Sequence, residues 1–437
     1  MNEQTRAFDP TDVIVGGGGI MGCAAAYYLA KRGLRVRLFD KGRLAWEQSS
    51  RNWGFVKQTN RGHIETPIMV LGLRLWRELA AELGEDVGWI EGGGLSLAQS
   101  EAELAPMEAA AAISREYGVD ARIVSRTEVQ ALIPGMEGPF VGGLYNPADG
   151  LATPLQATLA FAHAAERLGA QLHPHCAVEG LLSEGGRITG VRTAQGEARA
   201  ATVICAAGAH SRVLARMVGL NLPVRGIRAT VGATPPMAPL TRLSVFGKAV
   251  CFRQFADGTV TIARTNLGSA DFDMTLEAFR NMRLFLPTFF QHRDLVRLHV
   301  GRPLWEDIKR RMPWSPTRRH PFADQVDLEP PPNEDTVEAC RRAFMTHFPQ
   351  LGEIRIARTW AGIIDSTPDL VPVFGPVQAR PGLWFATGFS GHGFGMGPPM
   401  GYLLAEWLAE GRPSLELGPM RFERFAEGDM APLRPVV

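Results

Sequence analysis

Paired cysteines, bilayer-length apolar runs and an excess of either charge are all missing from this 437-residue chain. Its five cysteines, Cys23, Cys176, Cys205, Cys251 and Cys340, are an odd number without C-x-x-C spacing or nearby histidine pairs. That argues against a disulfide framework and against a zinc site, so reduced, mostly buried thiols and no metal are expected. The formal net charge of +1 gives no steering toward nucleic acid. A small-molecule partner is expected instead. No apolar run reaches the roughly 20 residues of a membrane span, and the opening "MNEQTRAFDPTD" has no export-signal core. A cytoplasmic protein without clear membrane association is the expectation. The segment Asn281 to Trp314 mixes aromatics with arginines in a way that suits a membrane surface, but Pro287 interrupts it. A core helix followed by a solvated basic stretch is the favoured reading there.

What the chain has in plenty is glycine, 48 residues of it, within a composition ordinary for an α/β enzyme. Its length suggests two or three domains. The stretch "VIVGGGGIMGCAAAYYLAKRG", Val13 to Gly33, reads as a buried parallel strand, a glycine turn and a helix over Ile20 to Ala30. Gly17, Gly19 and Gly22 form G-x-G-x-x-G. The first permits the tight turn, the second lets a pyrophosphate approach the backbone, and the third lets helix pack on strand. The helix N-terminus, at Ile20 and Met21, offers amides to the phosphates. A second apolar strand, "LRVRLFD", ends in Asp40, placed to accept hydrogen bonds from the adenosine ribose hydroxyls. The fingerprint serves NAD and FAD alike.

Further on, "PIMVLGLRLWRELAAELG" has helical spacing, and Thr153, Pro154 and Gln156 read as the N-cap, first turn and capping box of a helix that ends before Gly169. "ATVICAAG" is a buried strand on which the first sheet resumes after an insertion. The final helix is expected from about Pro399 to Ala409, behind a glycine loop running from Gly388 to Gly397.

Together, "IVGGGGIMG", "VICAAGAHS", "WAGIIDSTPD" and "FATGFSGHGFGMGPPMGYLLAEWL" resemble the FAD-dependent family that includes D-amino-acid oxidase, glycine oxidase and monomeric sarcosine oxidase. The resemblance implies an α/β fold with an α+β second domain. Residues 1–90, 152–222 and 357–437 would form a discontinuous Rossmann-like FAD-binding domain; 91–151 and 223–356 would form a smaller substrate domain on a mixed, largely antiparallel sheet. By similarity, Asp40 and Lys41 lie by the adenosine, Ala177 and Val178 by the adenine, Gly208 near the pyrophosphate, and Ser49 and Ser50 toward the flavin. Gly391, His392, Gly393, Phe394 and Gly395, with a helix N-terminus behind them, would face the flavin N1–C2=O edge.

The implied chemistry is oxidation of the C–N bond of an amino acid or secondary amine by hydride transfer to flavin N5, giving an imine that hydrolyses. Relatives hold the substrate carboxylate with Arg or Lys. Here the sequence departs. Where glycine-oxidase-like members place an arginine before "TPD" this chain has Ile364 and Asp365, and where sarcosine-oxidase-like members place a lysine after "SGHGF" it has Gly395 and Met396. The remaining substrate-binding candidates are Arg51, Asn52, Lys57, Arg61 and Arg264, with Asp365 as an attractor of a substrate cation and His392 as the acid/base suspect. Each has a competing structural role: a loop charge or interface salt bridge for the cations, packing for Trp53, orientation of the flavin loop for His392.

No cysteine lies near Gly362, where covalent relatives attach their flavin, so noncovalent FAD is expected. The strand "GTVTIARTN" offers no lysine for oxygen activation, a tilt toward a dehydrogenase with another electron acceptor. The competing readings are a subunit of a multi-component opine- or proline-type dehydrogenase, a flavin-binding protein without amine turnover, and an NAD-dependent dehydrogenase.

Overall fold

The computed structural model describes residues 8–264, 270–318 and 320–432. Its first sheet is built on the strand Thr11–Gly16, whose Val13, Ile14 and Val15 are all buried. Burial on both faces marks an inner parallel strand. Val36–Phe39 and Gly196–Cys205 flank it in parallel, Leu383–Thr387 and Gln171–His173 extend the parallel set, and Val373–Pro376 closes one edge antiparallel. The strand predicted at "ATVICAAG" is therefore central.

The helices Ile20–Lys31, Gly62–Leu83, Pro154–Arg167 and Gly393–Glu410 contribute to one hydrophobic cluster on this sheet. Thr153 is the N-cap predicted from sequence, with Pro154 in the first turn, but its side chain caps nothing and the expected box with Gln156 does not form. Its hydroxyl packs against Gly88, where an added Cβ would lie 2.2 Å from Oγ1.

The last helix starts at Gly393, six residues before the Pro399 expected from sequence. Pro398 and Pro399 thus lie inside it, where each removes a backbone donor. The carbonyl four residues before Pro399 belongs to Gly395, and the buried Trp76 indole donates to it at 3.0 Å. That substitute donor makes the early start tolerable.

The second sheet has ten strands in mixed, mainly antiparallel pairing. Arg358–Ser366, expected in the nucleotide domain, pairs along its length with Arg225–Ala233 and so belongs to this sheet. Arg264 follows the strand Val260–Ala263 rather than lying on it. Beyond the edge strand Val296–His299 the sheet ends. The helices Met282–Gln291 and Arg302–Arg311 have no buried residues, so the core helix predicted after Asn281 is not formed. No helix of the described residues is long and apolar enough to cross a membrane.

The C-terminal segment is tied down by Arg424, which forks onto both carboxylate oxygens of Asp369 at 2.8 and 3.0 Å and donates to the Val371 carbonyl. Both side chains are essentially without solvent exposure. Arg424→Met strands a buried carboxylate and is expected to lower unfolding free energy by about 3–5 kcal/mol, measured by urea denaturation; a change below about 1 kcal/mol contradicts this.

Candidate active site

The turn after the first strand has the conformation its glycines permit. Gly17 adopts φ +117°, and a Cβ there would sit 2.4 Å from the Ala206 carbonyl oxygen. Gly22 brings the helix onto the turn, since its Cβ would fall 1.8 Å from the Gly17 carbonyl oxygen. Gly19 has ordinary backbone angles and is needed for space alone: a Cβ would lie 2.8 Å from Ser49 Oγ, which itself accepts from the Ile20 amide.

Gly17, Gly19, Ile20, Met21 and Ser49 line a groove, and Gly22 lies behind it. Beside the glycine turn Asp40 accepts from the amides of Gly18 (2.6 Å) and Gly42 (2.8 Å). Burial nonetheless pushes its carboxyl up to about 6. Lys41 donates to Glu47 and to the carbonyls of Gln325 and Val326. Glu47 also meets His210 Nε2 at 3.0 Å. Burial alone would raise the Glu47 carboxyl, but His210 and Lys41 outweigh it and hold it at about 2. Neither Glu47 nor His210 was singled out from sequence, because their pairing spans 163 residues.

Val178 and Gly208 line the groove, and a Cβ on Gly208 would meet nothing within 4 Å, so it would project into open space. Ala177 and Ser50, expected to approach the cofactor, are not in the lining. Ala177 packs in the hydrophobic cluster behind the sheet, and Ser50 turns its hydroxyl to the Trp46 carbonyl.

The last helix reaches the same groove from the other side, through Gly391, Gly393 and Phe394. Its N-cap is His392, and neither it nor the first helix carries an acidic residue in its first turn. Two positive helix ends therefore face one cavity.

A second cavity of about 360 Å³ shares Gln48, Asn52, Gly391 and Phe394 with the groove. Arg51, Lys57, Arg61, Arg264, His392 and Gly395 line it, so the sequence candidates other than Asp365 converge there. Its apolar walls include Trp53, Phe55 and Phe246, which form mutual ring contacts, and Ile227, Val231 and Leu295.

The side chains in this cavity are not solvated loop charges. Lys57 is buried, donates to Ser96 Oγ at 3.1 Å and lies 4.6 Å from the Phe246 ring centroid; burial lowers its pKa to about 8. Asp149, buried among Gln58, Thr59 and Asn146, is pushed up to about 6 by the same burial. Arg61 donates to the Lys57 carbonyl and stands 3.9 Å from Glu65. Arg51 reaches the Ala361 carbonyl and Glu329. Asn52 spends its amide on the carbonyls of Gln48 and Ser49 and accepts from the Gly54 amide, so it shapes the turn. His392 Nδ1 lies 3.0 Å from Oε2 of the fully buried Glu65. Sequence reading passed over Glu65 because it sits in an otherwise amphipathic helix.

Asp365 lies apart from the other candidates. It lines the groove and not the second cavity, and its carboxylate accepts from the Gly388 amide at 2.6 Å and the Thr387 hydroxyl at 3.3 Å. Burial raises its pKa. It secures the C-terminal glycine loop.

Among the described residues no cluster of His, Cys, Asp and Glu is arranged to hold a metal ion. The bare glycine backbone, the two helix N-termini and the partly buried acid at the strand end fit a long dinucleotide such as FAD. Fold and site thus define a flavin-type α/β oxidoreductase with a second, mixed sheet. The chain belongs to the DAO family of FAD-dependent oxidoreductases, whose model matches residues 12–407.

It is 26% identical over 429 residues to the sarcosine oxidase subunit beta of an Arthrobacter species, across 96% of this chain and 92% of that one. It is 24% identical over 422 residues to human mitochondrial sarcosine dehydrogenase, across 95% of this chain but 41% of that protein. Its fold is similar to that of L-amino acid deaminase from Proteus myxofaciens, with TM-score 0.90 and 24% identity over 97% of this chain and 96% of that one.

Gly19→Val keeps allowed backbone angles but fills the space beside Ser49. It is expected to abolish FAD retention, measured as the flavin-to-protein absorbance ratio, with the thermal melt of the apoprotein unchanged. Stoichiometric FAD in the variant contradicts the role given to this turn.

Proposed function

We propose that this enzyme oxidises the C–N bond of an amino acid or N-substituted amino acid, with noncovalent FAD as acceptor of the hydride. The observation that carries this reading is the meeting of groove and cavity at Gln48, Asn52, Gly391 and Phe394. No cysteine lines either cavity, which favours a noncovalent flavin. Bound FAD supplies a two-electron acceptor for the hydrogen on the carbon next to nitrogen.

The chain's own residues bind and orient. Arg51, Lys57, Arg61 and Arg264 give the cavity a positive lining that favours a substrate carboxylate, in place of the two family anchors this sequence lacks. Trp53, Phe55 and Phe246 form an apolar wall for the rest of the substrate and exclude water. The positive end of the Gly393–Glu410 helix favours negative charge on a reduced cofactor. Glu65 fixes one ring nitrogen of His392, so His392 orients the glycine loop and need not move a proton.

A substrate domain of 91–151 and 223–356, joined by the strand Arg358–Ser366, is part of this reading, as are a cytoplasmic setting and an electron acceptor other than oxygen. A partner subunit is a second reading, favoured by the likeness to a beta subunit; gel filtration of the native protein separates the two.

Anaerobic addition of pooled amino acids and N-methyl amino acids should bleach the flavin band of the purified holoenzyme, with slow recolouring in air. A yellow protein that none of them bleaches removes this substrate class. The Lys57 ammonium loses its proton above about pH 8, and KM for a carboxylate substrate should then rise roughly tenfold between pH 7 and 9 with kcat little changed. Lys57→Met should abolish that dependence, and a KM profile identical in both proteins contradicts the assignment. The same shift makes folding stability increase with pH from about 8 toward the ordinary lysine value, because the unfolded chain binds the proton the folded one has released.

A further inference from the structure

Twelve large hydrophobic side chains are exposed among the described residues, and nine of them fall between Leu276 and Trp314. Met282, Leu286 and Phe290 recur every four residues and so form one outward stripe on the helix Met282–Gln291. Leu298 and Val300 are exposed at and just beyond the edge strand, and Trp305 and Trp314 are 63% and 79% exposed. Such a concentration marks an interaction surface.

Charge indicates which kind. The same stretch holds eight Arg and Lys residues against four acids. All four acids are already paired: Glu277 with Arg216 and Arg311, Asp294 with Arg293, Glu306 with Arg302, and Asp307 with Arg311. Arg283, Arg297 and Lys309 take part in no ion pair among the described residues. An apolar stripe with exposed tryptophans and uncompensated cations is complementary to a lipid surface bearing negative headgroups.

We propose that the segment 276–314 docks the enzyme reversibly on an anionic membrane surface without crossing it. Docking sets the substrate cavity beside the bilayer. Leu295, within the segment, lines that cavity, and Thr288 donates its hydroxyl to the Pro368 carbonyl, one residue from the cavity-lining Asp369.

The test is co-sedimentation of the FAD-loaded enzyme with vesicles of phosphatidylcholine alone or mixed with phosphatidylglycerol. The enzyme should sediment with the mixed vesicles at least tenfold more than with neutral ones, and high salt should release it. Phe290→Glu combined with Trp314→Glu should abolish sedimentation, with flavin content and thermal melt unchanged because both side chains are exposed. Arg283→Glu with Arg297→Glu should weaken it independently of the apolar stripe. Absence of sedimentation with anionic vesicles, or equal sedimentation with neutral ones, overturns the proposal. A dimer that Phe290→Glu with Trp314→Glu dissociates, together with no vesicle binding, assigns the patch to a second copy instead.

Discussion

The contact on which the rest of the site depends is between the first and last long helices. Gly401 lies so close to Ala24 that a Cβ on it would stand 2.8 Å from the alanine Cβ, and one on Gly397 would stand 2.5 Å from the Ile20 side chain. Small residues let the two backbones approach. One helix begins at Ile20 and the other at Gly393, far apart in sequence, and this contact delivers both N-termini to a single groove. Trp76 completes the arrangement by donating to the Gly395 carbonyl next to the helix prolines.

Around that frame the charges are sorted by purpose. The partly buried Asp40 and the buried Asp365 are acids held by backbone amides, and both stand on the groove side. They shape the turns that approach a cofactor. Cations gather instead in the adjoining cavity, where Lys57 is held by a hydroxyl and an aromatic ring. An amide-bound carboxylate at one end and a positive, aromatic-walled chamber at the other give the site its direction. In the proposed binding mode a dinucleotide lying between the two helix ends would present its reactive end to a carboxylate-bearing substrate.

Local constraints were legible in the sequence and distant pairings were not. The roles of Gly17 and Gly22 follow from their own turn, and the structure gives Gly17 a positive φ and leaves Gly22 no room for a Cβ. The end of the second strand at Asp40 and the centrality of "ATVICAAG" were readable for the same reason. Pro398 and Pro399 misled because the donor that tolerates them, Trp76, is 319 residues from its acceptor. The partners of Asp365 were not legible because they arrive on a later strand and loop, and Glu65 was missed because His392 lies 327 residues away. The core helix expected after Asn281 failed for a topological reason: the sheet ends beside it, so none of its residues is buried and Met282, Leu286 and Phe290 stay exposed.

The central claim is that one site is assembled where groove and cavity join. It is tested most directly by a crystal structure of the FAD-loaded enzyme with an unreactive carboxylate analogue. The account predicts the adenosine end at Asp40, the flavin ring between Asn52 and Gly391, and the analogue's carboxylate hydrogen-bonded to a cation of the second cavity. A flavin ring outside that junction, or an analogue bound away from Arg51, Lys57, Arg61 and Arg264, would contradict it.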